Sequence, residues 1–225
     1  MPDSRRPRAG TGPRGLSKDA IVEAAVALME EVGEEGFTLR KLGERVGCDP
    51  MAVLYHFKSK QGLHRAMAEW LTARLAPVEA DAPWDARLRG LADRHRELAL
   101  AYPATFGLMP RFLNTGLSDY RHTETVFRAL EDAGIGEADI PAVCLGWYAS
   151  VIGLAMGEVG GLLQPATAEE LAEIERLPED AFALTRRFAG FYRDLEAGRV
   201  HARTVDLLID GIRRQAETAR AGART

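Results

Sequence analysis

Apolar residues in this chain return every three or four positions and almost never alternate, which is the period of a helix face and not of a strand. Ile21, Ala25, Leu28, Met29 and Val32 follow Ser17, a good helix cap, and stop at Gly33. Leu39, Leu42 and Val46 lie between Thr38 and Gly47. Asp49 and Pro50 open a third run through Val53 and Phe57, where a proline at the first helical position forfeits no hydrogen bond. Ser59 opens a fourth, through Leu63, Met67, Leu71 and Leu75 up to Pro77. Beyond Pro83, residues Trp84, Leu88, Leu91, His95, Leu98 and Tyr102 form an unbroken stripe at spacings of four and three. Pro103, Gly107 and Pro110 punctuate the next segment, which carries Phe106, Met109 and Phe112. Ser118 is the expected cap of a helix with Val126, Phe127 and Leu130, stopped by Gly134.

From 139 to 163 the chain is apolar on nearly every side, which predicts a helix buried all round. Its length approaches a membrane span, but it reads as the buried helix of a soluble protein. Ala149, Ser150, Gly153, Gly157 and Gly160 lie close to one face and permit tight helix contact, while Trp147, Tyr148 and Met156 are bulky enough to line a cavity. A polar stretch with two prolines predicts a loop with a short helix, then a helix over about 180–195. A last helix over 204–216 carries Val205, Leu208, Ile209 and Ile212. The fold class is all-α.

Charge divides the chain. Residues 1–65 hold 11 Lys+Arg against 9 Asp+Glu, a balance of +2, and the remainder holds 18 against 24, a balance of -6. All four lysines, Lys18, Lys41, Lys58 and Lys60, lie in the first part. Arg5, Arg6, Arg8 and Arg14 stand in a Pro/Gly-rich leader that cannot form a core, either a phosphate-binding arm or a solubilising tail. Cys48 and Cys144 are far apart, with no CxxC pair and no secretory leader, so a reducing cytoplasm is expected. There is no HExxH, P-loop, GxSxG or clustered Cys/His set. Catalysis, metal and cofactor are therefore not expected.

Two short helices joined by a glycine turn behind a supporting helix make a helix-turn-helix, whose second helix commonly enters the major groove. Pro50, Met51 and Ala52 are slim or flexible enough to approach base edges, and Tyr55, His56 and Lys60 can hold phosphate. Val53 and Phe57 should face inward. An ordinary helical hairpin with its polar groups in water has the same spacing.

The stretch TLRKLGERVGCDPMAVLYHFKSKQGL, 38–63, resembles the DNA-binding domain of TetR-family transcriptional repressors, a resemblance running from Leu16 to about Leu75. It rests on the Thr-x-Arg start, the glycine before the recognition helix, the aromatic-His-aromatic finish and the KSK entry to the fourth helix. The resemblance implies phosphate contacts from Thr38, Arg40, Tyr55, His56 and Lys60, and base-edge contacts from Pro50, Met51 and Ala52. Leu54 stands where many members carry tyrosine, so one phosphate contact is missing.

With that resemblance the chain divides into a basic mobile leader, 1–15, a helix-turn-helix domain, 16–76, and a helical ligand-binding and dimerisation domain, 77–225. The expected protein is a dimeric, cytoplasmic repressor that leaves operator DNA when it binds a mostly apolar small molecule, with no membrane partner. The helices over 139–163 and 204–216 are the expected dimer contact. His95, Phe106, Met109, Phe112, Phe127, Trp147 and Tyr148 are the candidate ligand pocket, although the same residues would serve as ordinary core. Arg111 and Asn114 are the polar pair to follow if they point inward. The alternative is a helical small-molecule-binding protein or enzyme without specific DNA binding.

Overall fold

Local capping builds the first four helices. In this computed structural model, which describes residues 17–112 and 116–222, α1 spans Lys18–Gly36, α2 Leu39–Val46, α3 Pro50–Phe57 and α4 Lys60–Thr72. The arginines of the leader and Asn114 lie outside the described residues. Ser17, Thr38, Asp49 and Ser59 each accept a backbone N–H of the helix that follows, satisfying a donor the helix itself cannot. Gly33 is non-helical at φ 67°, as a stop residue should be, but a further turn carries α1 on to Gly36. The fourth helix ends at Thr72, short of the expected Pro77. The Thr72 hydroxyl donates back to the Ala68 and Glu69 carbonyls, local bonding that loosens a last turn. Ile21, Ala25, Met29, Phe37, Leu42, Val53, Leu63 and Met67 close over one another as the core of this head.

The remainder is α5 Trp84–Ala101, the single-turn α6 Pro103–Phe106, a 3-10 turn Met109–Arg111, α7 Leu117–Ala133, α8 Ile140–Val159, α9 Ala168–Arg176, α10 Glu179–Arg187, α11 Ala189–Arg193 and α12 Ala197–Gly222. No strand occurs among the described residues. The core of this part joins Leu88, Leu91, Val126, Leu130, Trp147, Val151, Val205, Ile209 and Ile212 from α5, α7, α8 and α12. Each such side chain contributes roughly 1.5–3 kcal/mol when withdrawn from water.

Several expectations need correction. Ser118 does not cap α7; Gly116 holds the N-cap position and no side chain bonds there. The helix expected over 180–195 is broken into α10 and α11, and no residue of α9, α10 or α11 is buried. The last helix begins seven residues earlier than expected and runs six further, because His201 extends the stripe of Val205, Ile209, Ile212 and Ala216 inward. Most consequentially, α8 is not buried all round. Cys144, Trp147, Val151 and Ala155 face the core, while Ala142, Leu145, Gly146, Ala149 and Gly153 remain open to solvent. Only one side of it has α5, α7 and α12 to pack against. The same packing claims Val205, Ile209 and Ile212 of α12 for the chain's own interior, leaving Leu207 outward.

The buried histidines should make this fold acid-sensitive. His95 bonds through Nδ1 to the Leu91 carbonyl at 2.7 Å, and burial pushes its pKa down to about 4. His64 and His122 are also lowered, in both cases chiefly by burial. An unfolded chain takes up these protons near pH 6.5, before the folded one does, so stability is complete above that pH and is lost as pH falls toward 4. For His95 alone the loss approaches about 3 kcal/mol. Urea midpoints measured from pH 7 to pH 4.5 should decline, and His95→Gln should flatten the decline. A decline of equal steepness in the variant would assign the acid sensitivity elsewhere.

Candidate DNA-binding face and ligand cavity

The turn between α2 and α3 needs two glycines. Gly47 sits at φ 69°, in the left-handed region. A Cβ at Gly43 would stand 2.7 Å from the Cys48 carbonyl oxygen, so only glycine lets the two helices approach this closely. Val53 then pins α3 to the head with no exposed surface, and half-buried Phe57 supports it. The opposite side of α3 is bare: Met51 is 69% and Tyr55 86% exposed, with Ala52 beside them. Met51 and Tyr55, one helical turn apart, thus put exposed apolar surface on one side of α3.

Polar groups rim this helix. Half-buried His56 meets the Tyr55 ring edge-on at 6.0 Å. Lys60 Nζ donates at 3.4 Å to the carbonyl of Phe37, the residue before Thr38, and lies over the Phe37 ring. Thr38 Oγ1 is occupied as the α2 cap, accepting from the Lys41 N–H at 3.2 Å, and its own proton remains to be donated. Arg40 pairs with Glu44 at 3.0 Å on the open surface, an interaction weak enough for a phosphate to replace. Pro50 is half-buried at the start of α3, and Leu54 is half-buried too, in the place where a tyrosine was missed.

A cavity of about 400 Å³ opens between α5, the 3-10 turn, α7 and α8. It is lined by His95, Met109, Phe112 and Tyr148 from the expected set. Phe106, Phe127 and Trp147 do not line it: Phe106 is buried with Leu71 and Leu98, Trp147 is buried in the main cluster, and part-buried Phe127 packs against that cluster. Asp119, Thr123, Leu145, Ile152 and Met156 complete much of the wall. The α8 positions could have been found by counting from Tyr148, because residues three before and four and eight after it share its side of a helix. Burial keeps the Tyr148 phenol protonated, and its hydroxyl has Thr123 nearby but no partner in hydrogen-bonding geometry. Trp147 and His95 stack edge-on around it.

One short segment runs between the cavity and the head, beside the direct packing of α4 on α7. Tyr102 supplies no cap to α6; the carboxylate of Glu30, from α1, does so across the fold. Glu30 accepts the Ala104 N–H at 3.1 Å, the Thr105 N–H at 2.8 Å and the Thr105 hydroxyl at 2.6 Å. Arg111 pairs with Glu34 of α1, whose pKa it lowers. Leu108 is buried in the head core, while neighbouring Met109 lines the cavity and Phe112 touches both. No sequence signal pointed to Glu30.

Residues 21–67 match the family model described as bacterial regulatory proteins, tetR family. The class A tetracycline repressor of transposon 1721 from Escherichia coli is 38% identical over 90 residues, which span 39% of this chain and 42% of that one. The transcriptional repressor AcnR of Corynebacterium diphtheriae is 35% identical over 88 residues, again 39% and 42% of the two chains. The match thus spans about two fifths of these relatives' length. Among solved structures, the Streptomyces coelicolor regulator SCO7222 superposes with a TM-score of 0.74 at 24% identity, covering 89% of this chain and 99% of that one. ActR of the same organism, in complex with actinorhodin, gives 0.80 at 16% identity, covering 90% and 99%. At such identities these structures speak for the fold.

Proposed function

We propose, from the premise that this chain is a member of the tetR family of bacterial regulatory proteins, that it is a dimeric intracellular repressor which binds an operator through α3 and releases it on binding a small molecule. The observation that carries the reading is the bare row of Met51, Ala52 and Tyr55 on a helix locked from behind by Val53. Met51 and Ala52 suit thymine methyls and neighbouring base edges, with Pro50 bringing the backbone close. Tyr55, His56, Lys60, Thr38 and Arg40 suit phosphate oxygens, which fix register without choosing sequence. Two copies paired through the open side of α8, with the outward side of α12 beside it, would set two recognition helices roughly 34–36 Å apart, one turn of DNA.

The apolar cavity supports a ligand-responsive role, as does the actinorhodin complex of ActR. A ligand pressing on Met109 and Phe112 moves a segment that Glu30 and Glu34 tie to α1, so cavity and head change together. The ligand shifts the equilibrium only by its difference in affinity for the two arrangements. A random DNA pool, selected for binding to the purified protein, should yield a palindrome with half-sites one turn apart. Recovery of no sequence above competitor would favour the alternative, a helical binding protein without an operator.

The two roles on α3 separate by substitution. Ala52→Gln should re-rank operator variants by about 1–3 kcal/mol at one base pair per half-site. Lys60→Ala should weaken all sequences alike and flatten the slope of log K against log salt by about 0.9 for each phosphate that is no longer neutralised. Titration of matched operator variants at fixed salt checks both, and a re-ranking by Lys60→Ala with none by Ala52→Gln would reverse the assignment.

A further inference from the structure

A second recess lies on the outer side of α7, away from the cavity. Thr123 of α7 lines the cavity, whereas Arg121, Thr125 and Arg128 line a separate groove of about 440 Å³. The connection between α4 and α5 bounds this groove through Val78 and Ala80, and Val78 also packs on the core of the second part. Three arginines, Arg87, Arg121 and Arg128, meet one carboxylate, Glu124, among the described residues that line it. This positive excess stands in the part of the chain beyond residue 65, whose balance is -6. Arg87 is the deep member. Its side chain is 6% exposed and pairs with Asp132, itself 59% exposed, while its Nε has no hydrogen-bond partner. Arg128 gives its Nε to Glu124 at 2.8 Å. The Arg121 guanidinium makes no hydrogen bond or ion pair among the described residues.

We infer that this groove is a small-molecule site distinct from the cavity and takes an aromatic organic anion, a carboxylate or phosphate ester, whose charge is held by Arg87, Arg121 and Arg128. A guanidinium offers such a group two parallel donors, and no protein group uses those of Arg121. Arg87 sits where water is largely excluded, so it attracts an anion more strongly than an exposed arginine does. The water around Asp132 weakens its hold on that buried charge. A cationic ligand would meet three like charges against Glu124 alone. Glu79 lies between Val78 and Ala80 but does not line the groove. The aromatic body follows from the rim: Tyr120 and Leu117 are 56% and 67% exposed beside the arginines. An inorganic anion would leave that apolar surface in water, whereas a ring covers it. The volume is that of an ordinary small-molecule site.

Equilibrium dialysis of the full-length protein at fixed salt tests this with naphthyl phosphate, naphthoate, neutral naphthol and inorganic phosphate. At least one of the two aromatic anions should bind about tenfold or more tightly than naphthol and than inorganic phosphate, and the tighter of the two names the head group. Arg121→Gln should weaken that binding about tenfold. Arg121→Lys, which keeps the charge and loses the fork, should recover only part of it. Arg121 is exposed and its guanidinium ties nothing together, so both variants should keep native helicity. Arg203→Gln, at an exposed arginine of α12 outside the groove, should leave binding unchanged. So should Met156→Trp, which fills the cavity from α8. Aromatic anions that bind no better than naphthol or inorganic phosphate overturn the inference, as do equal losses in Arg121→Gln and Arg203→Gln. Loss of binding in Met156→Trp with none in Arg121→Gln would move the anion to the cavity and overturn the groove as its site. The operator reading stands or falls separately, since this binding needs neither DNA nor a second copy.

Discussion

Gly146→Arg should prevent the proposed pairing of two copies and lower affinity for the proposed operator by two orders of magnitude or more. Gly146 lies on the open side of α8 with Ala142, Ala149 and Gly153, at spacings of four, three and four, and a Cβ there meets nothing within 4 Å. The protomer therefore has room for the new side chain. A two-fold contact does not, and because such a contact is isologous the substitution enters it twice. Withdrawing each unpaired guanidinium from water costs several kcal/mol, and every 1.4 kcal/mol is tenfold in association. Gly146→Ala is the control: it improves helix propensity by about 1 kcal/mol and should stay dimeric. Gly157 is a poorer probe, since it is half-buried and a Cβ there already meets Leu162 Cδ2 at 3.4 Å. Sedimentation equilibrium reads the outcome directly; a dimeric Gly146→Arg protein with native helicity would place the contact on another face.

Glu30→Ala should cost stability and ligand response together. Its carboxylate satisfies two backbone donors and the hydroxyl of Thr105, a residue with no exposed surface. Hydrogen bonds to a charged group contribute roughly 1.5–3 kcal/mol, and donors left buried without a partner add their desolvation, so a loss of about 3 kcal/mol is expected. Glu34→Ala removes the partner of Arg111 from a half-exposed pair and should cost about 1 kcal/mol or less. The urea midpoint gives the first effect. The second is the ligand concentration that releases half of the bound operator, which should rise in Glu30→Ala because α6 is no longer bonded to α1. Equal stability losses in the two variants would mean that the cap on α6 is not what joins the parts.

The head was legible because its instructions are local. Ser17, Thr38, Asp49 and Ser59 bond within three residues of themselves, and Gly33 and Gly47 interrupt helices where their own backbone turns positive in φ. Glu30 was not legible, because its partners lie more than seventy residues away and a mid-helix glutamate looks like any solvated one. The α8 helix was misread for a different reason. Hydrophobicity records that a surface avoids water, but not whether its own chain or a second copy does the covering. The cavity was half legible: His95 and Tyr148, singled out by spacing and size, line it, whereas Phe106 and Trp147 are equally large and buried in the core, and Phe127 packs against it. Bulk alone carries no direction. Asp119 was overlooked because one acidic residue in a first helical turn ordinarily serves the helix.

The core of the head borrows from beyond the fourth helix. Leu108 is sealed inside it, with Tyr102, Ala104 and Phe112 packed against it, and α6 is stapled there by Glu30. Covalent order and spatial membership thus disagree. A chimera cut after residue 76 would carry away the reading helix and leave behind part of the floor it stands on. Residues 102–112 therefore belong to whichever half is transplanted with α1, and a foreign sensor could drive this head only by supplying its own plug for the Leu108 socket and its own helix for Glu30 to cap.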